Sequence, residues 1–108
     1  MDKTAKIRQL NDAFRTSFKG GKVMLTLGIR SKSDIEQTEI LERVLNFNDF
    51  NKGNDPYQEH DFGKFEHKGE KIFWKIDYYA PDMRYASEDP SDPAKTIRVL
   101  TVMLADEY

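Results

Sequence analysis

The chain has 108 residues, 38% of them hydrophobic, 12% aromatic and 33% charged, which suits one compact domain (1–108) with one core. It has no cysteine, which excludes disulfides, thiol catalysis and cysteine-ligated zinc or iron–sulfur centres. The net charge of −2 is divided, with ten basic and seven acidic residues over 1–53 and five basic and ten acidic over 54–92, so the chain lacks the clear basic footprint of a nucleic-acid binder.

Ile7, Leu10, Phe14 and Phe18 recur at helical spacing among polar residues, and they predict a helix over residues 3–18 that Gly20-Gly21 stops. Lys22 to Ile29 reads as a strand, with Val23, Leu25 and Leu27 on one face and Met24 and Thr26 on the other. Ser33 or Asp34 caps a second helix whose apolar stripe is Ile35, Ile40, Leu41, Val44 and Leu45. Phe47–Phe50 reads as a short strand, followed by the turn-rich loop Asn51–Tyr57.

Two runs, His60–His67 and Lys71–Ala80, flank Lys68-Gly69-Glu70 and predict a β-hairpin. The second run alternates cleanly, with Ile72, Trp74, Ile76 and Tyr78 opposite Phe73, Lys75, Asp77 and Tyr79. In the first run Phe62 and Phe65 break strict alternation, and Gly63 between them marks a bulge. After a proline-containing loop over 81–93, Asp92-Pro93 reads as the start of a third helix, which runs to about Ala105. Ile97, Leu100, Met103 and Leu104 face inward in that reading, and the β-branched content keeps a strand as the alternative. The expected fold is α+β: a small antiparallel sheet of about three to four strands, including the hairpin at 60–80, packed against about three helices. No run approaches the roughly 18 apolar residues of a membrane span. The N-terminus lacks the apolar core of a signal peptide, so a cytoplasmic location without membrane contact is expected.

The runs NDPYQEHDFG and FWKIDYY, the ending DPSDPA…RVLTVMLADEY, and the opening LNDAF…GGKVMLTLGI resemble the domain-of-unknown-function family 3768 over nearly the whole chain. The resemblance implies a small bacterial protein, often encoded on plasmids or other mobile elements. It implies no activity, cofactor or catalytic residue. Mobile-element cargo is enriched in small regulators and in inhibitors of host defence, so a role of the anti-CRISPR kind belongs to the expected context.

Chemistry concentrates in residues 54–79, which hold both histidines, the only tryptophan and three of the five tyrosines. His60, Asp61 and Asp77 supply the mixed imidazole and carboxylate donors that suit a transition metal. Consecutive strand residues point to opposite faces, which separates Glu59 and Asp61 from His60. The competing reading makes His60 and Asp61 hydrogen-bonding residues of a loop–strand junction. Glu66-His67-Lys68 spells half of a metal-nuclease pattern, but at a hairpin turn where both charges are ordinary solvated residues.

The aromatic pattern carries more. Phe73 and Tyr79 flank Lys75 and Asp77 on the strand face opposite Trp74, with Tyr57 and Tyr85 in adjoining loops and Asp55 and Glu59 nearby. Aromatic side chains among charges suit a protein-binding surface. The expected function is therefore non-enzymatic binding of a protein partner through Asp55, Tyr57, Glu59, Phe73, Lys75, Asp77, Tyr79 and Tyr85, without cofactor and without direct nucleic-acid binding. The competing readings are a small metal-dependent hydrolase or nuclease at His60, Asp61 and Asp77, and a nucleic-acid regulator using the basic first helix (Lys3, Lys6, Arg8, Arg15, Lys19).

Overall fold

Asp2 opens the first helix, α1 (Lys3–Arg15), by accepting a hydrogen bond from the Ala5 amide at 2.7 Å. The structure is a computed structural model that describes residues 1–108. After Gly20 and Gly21 the chain enters β1 (Lys22–Leu25), a single helical turn α2 (Leu27–Arg30), and then α3 (Asp34–Leu45). Ser33 is the cap of α3 and accepts from the Glu36 amide at 3.2 Å. The hairpin follows as β2 (Phe62–His67) and β3 (Glu70–Tyr79), and the chain closes with β4 (Ile97–Leu104). The four strands form one sheet in the order β1-β4-β3-β2. Its β2–β3 and β3–β4 pairs are antiparallel and its β1–β4 pair is parallel. The fold is α+β, with a mostly antiparallel sheet and three helices.

Four local expectations are corrected. The strand expected to reach Ile29 ends at Leu25, because the Thr26 hydroxyl and the Gly28 amide both bond the Glu107 carboxylate, at 2.6 and 2.9 Å, and turn the chain into α2. Leu27 consequently stands exposed instead of sharing a strand face. Phe47–Phe50 forms no strand; both rings pack edge-on against Trp74, with centroids 5.5 and 6.1 Å away. Gly63 makes no bulge, since β2 pairs with β3 in unbroken register from Phe62 to His67. Its lack of a side chain makes room for the indole instead, because a Cβ there would collide with Trp74 Nε1.

The largest correction concerns the C-terminus. Asp92 accepts from the Ala94 amide as a capping residue should, but the turn it starts is only the 3₁₀ turn Pro93–Lys95. The expected helix is the interior strand β4, bonded to β3 on one side and β1 on the other. An interior strand buried on both faces carries apolar residues at nearly every position, which satisfies helical and strand periods alike. Its β-branched residues decide the matter through cross-strand packing.

The core lies on one face of the sheet. Ile72, Trp74, Ile76, Leu100 and Val102 meet Phe14 of α1, Ile29 of α2, and Ile40 and Val44 of α3. All three helices thus cover the same side. The opposite face, called here the open face, receives no helix.

Candidate functional site

Strand alternation divides the chemistry-rich segment between the two sides of the sheet. Phe73, Lys75, Asp77 and Tyr79 project to the open face, where register adds Phe62 and Lys64 from β2 and Val99, Thr101 and Met103 from β4. Lys75 Nζ lies 3.0 Å from Asp77 Oδ2, and both side chains are 38% exposed. The hydrogen bond to Asp77 raises the Lys75 pKa above its ordinary value and keeps the ammonium charged. An exposed pair of this kind contributes only ~0–1 kcal/mol to stability, so its chemistry remains available to a partner. Next to it, Phe62, Phe73 and Tyr108 form a three-ring cluster of edge-to-face contacts, with centroids 5.2–6.1 Å apart. The result is a partly exposed aromatic floor with a fixed charge pair in its middle.

His60, Asp55 and Glu59 lie on the core side and do structural work. His60 stacks on Phe50 with centroids 3.7 Å apart and planes 4° from parallel. Its Nδ1 lies 2.9 Å from Asp12 Oδ1, and because a carboxylate only accepts, Nδ1 carries the proton. Its Nε2 is 3.5 Å from Asp55 Oδ2, and Asp55 Oδ1 accepts from the His60 amide at 3.0 Å. Asp55 is therefore buried and turned toward His60, away from any partner. Tyr78 donates to Glu59 Oε1 at 2.8 Å and accepts from Asn11 Nδ2 at 2.7 Å, while Arg98 Nε donates to Asn11 Oδ1 at 2.7 Å. Burial, aided by Glu59, pushes the Tyr78 hydroxyl far above its ordinary value, so it stays protonated and donates. This network ties α1, the 51–61 loop, β3 and β4 together.

Asp61 occupies the loop–strand junction, where its carbonyl accepts from the Ile76 amide at 2.8 Å. It shares no metal shell with His60 and Asp77, and no group of three or more metal-ligating side chains converges anywhere in the molecule. Glu66 and Lys68 stand exposed at the hairpin turn. Tyr57 and Tyr85 are 79% and 72% exposed, in separate loops. Of the eight candidate partner residues, four therefore share the open face.

The basic first helix is largely spoken for. Arg15 is buried and donates to the Val44 carbonyl at 2.9 Å, with its guanidinium over the Trp74 ring. Arg8 donates to the Gln58 carbonyl, and Lys3 pairs with Asp89.

Several contributors lay outside the sequence reading. Met103, Thr101 and Val99 belong to the open face, a placement that a helix from Asp92-Pro93 to about Ala105 does not give. Asn11 is fully buried at the hub of the network, and a signal was available: it lies four residues after Ile7 and three before Phe14, on the inward stripe of α1.

The model of the family described as Protein of unknown function (DUF3768) matches residues 25–107. The match takes in the NDPYQEHDFG and FWKIDYY runs and begins at the last residue of β1, beyond the whole of α1. No curated protein matches the chain, and no solved structure matches it.

Proposed function

The chain belongs to the DUF3768 family, and on that premise we propose that it is a small non-enzymatic cytoplasmic binding protein that engages a protein partner through the open face of its sheet. One observation carries the reading: all three helices cover the other face, leaving Phe62, Phe73 and Tyr79 part-exposed around the Lys75–Asp77 pair, above the buried Val99 and Met103. Partly exposed aromatics anchor protein interfaces, and an oriented charge pair at their centre selects the partner's register. The anchors are Phe62, Phe73 and Tyr79, with Lys75 and Asp77 as the polar centre.

The face mixes lysines and carboxylates, while Asp55, Glu59 and Asp61 lie elsewhere, so the partner surface is of mixed charge too. The partner class we propose is a component of a host nucleic-acid-handling or defence complex, with the protein acting as its inhibitor or regulator. That part rests on the mobile-element context implied by the family resemblance and on no geometry. An enzymatic reading finds less support, because His60 is held by Asp12 at Nδ1 and stacked flat on Phe50. A nucleic-acid reading loses Arg15 to burial and Arg8 to the Gln58 carbonyl.

The experiment is a capture from lysate of the source cell with wild type beside Asp77→Lys/Tyr79→Ala, with fold checked by circular dichroism. A stoichiometric partner retained by wild type and by His60→Ala, and lost by the double variant, supports the reading. Equal capture by wild type and the double variant overturns the assignment of the face.

A further inference from the structure

The two edges of the sheet are finished differently. At the β2 edge, Arg43 Nη1 donates to the Glu66 carbonyl at 3.2 Å, and the exposed Lys64 and Glu66 side chains flank the strand. Charges and a plugged carbonyl are standard deterrents to strand addition. The β1 edge has no such plug. Val23 and Met24 are 36% and 54% exposed, and Leu27 just beyond is 68% exposed. The Thr26 amide donates to the Val102 carbonyl at 3.1 Å. Alternate residues of a strand bond the same neighbour, so Lys22 and Met24 face β4 while the amides and carbonyls of Val23 and Leu25 point outward. No loop or turn of the chain bonds them.

We propose that two copies of this chain pair antiparallel through β1, about a two-fold axis at Met24, to form one continuous eight-stranded sheet. The occupant is a second copy because the strand is complementary to itself in this register. Val23 and Leu25 of opposite copies become the hydrogen-bonded pairs, and the two Met24 side chains meet at the centre. Lys22 falls opposite Thr26 of the second copy, and Thr26 is the residue whose hydroxyl holds Glu107 Oε1 at 2.6 Å. Each Lys22 ammonium thus arrives beside the Glu107 carboxylate of the other copy, giving two symmetric ion pairs around an apolar centre with no lysines opposed. A two-fold interface of this kind closes on itself and leaves no further β1 edge to polymerise. The axis runs perpendicular to the sheet, so both open faces lie on the same side, side by side. The dimer does not depend on what the open face binds.

Sedimentation equilibrium of the full chain across the micromolar to millimolar range tests the proposal. Wild type should dimerise reversibly. Val23→Pro, which removes an outward amide, and Lys22→Glu should each raise the dissociation constant at least tenfold while circular dichroism stays native. Because the chain has no cysteine, Met24→Cys adds a single thiol. The non-hydrogen-bonded antiparallel pair it would occupy has Cα atoms about 4.5 Å apart, within disulfide range. Oxidation should link Met24→Cys into dimers far faster than a Lys64→Cys control at the β2 edge. A wild type that stays monomeric throughout overturns the proposal, as does equal cross-linking of the two cysteine variants. A dimer indifferent to both Val23→Pro and Lys22→Glu places the interface elsewhere and overturns it too.

Discussion

Gly63 and Trp74 show how narrowly single residues are specified. The indole is fully buried against the Gly63 backbone, and any Cβ there collides with it. Gly63→Ala should destabilise the protein by ~1–3 kcal/mol through overpacking, and Trp74→Ala by ~3–5 kcal/mol through the cavity it leaves; urea midpoints measure both. Asn11 is a second such point, since it bonds both Arg98 and the Tyr78 hydroxyl. Asn11→Ala leaves the buried Arg98 Nε without an acceptor and should cost ~1–3 kcal/mol or more.

Asp61 gives a signed pH dependence. Burial raises its pKa above the ordinary 3.8, and repulsion from Glu59, then Asp55 and Asp77, adds to the shift. The folded state then binds this proton more tightly than the unfolded chain. The group's contribution is therefore fully present below the ordinary carboxylate value and is lost as pH rises through the raised one. Asp61→Asn should be more stable than wild type at neutral pH, and the advantage should vanish in acid. Urea titrations at the two pH values would show it, and an equal gain at both would contradict the electrostatic account. The grouping of Asp61 with Glu59, Asp55 and Asp77 is legible from the sequence, but the burial of Asp61 among them is not.

Among the elements, the hairpin was the most legible. Its alternation fixed which side chains face the core, and the turn at Lys68-Gly69 has both residues at positive φ, 52° and 83°. That geometry matches the tight hairpin turn favoured by Asn-Gly, so Lys68→Asn should stabilise by ~0.5 kcal/mol or more, read as a rise in thermal midpoint. The segment that forms β4 reads as a helix because Ile97, Leu100, Met103 and Leu104 satisfy a helical stripe. Nothing local to residues 94–105 records that strands will bond both of its edges. β1 was overextended for a related reason: its stop is a carboxylate at Glu107, distant in sequence.

At the scale of the whole molecule, one-sided coverage of the sheet is the defining feature. Helices on one side and aromatics with an ion pair on the other create a face that costs little to alter. Asp77→Lys should change stability by less than ~1 kcal/mol, as exposed pairs do, while abolishing partner capture. A large loss of stability in a chemical melt would instead mark the pair as structural. No helix is long and apolar enough to cross a membrane.

By itself the sequence determined the α+β class, the hairpin, the first two long helices and the face that Phe73, Lys75, Asp77 and Tyr79 share, because these follow from local periodicity and turn chemistry. Only the tertiary structure decided that β4 is an interior strand, that Asp55 and His60 are bound to the helix α1 side, and that Met103 and Tyr108 join the open face. Those outcomes depend on contacts between residues far apart in the chain, where burial on both faces and the placement of hydrogen-bond partners override local preference.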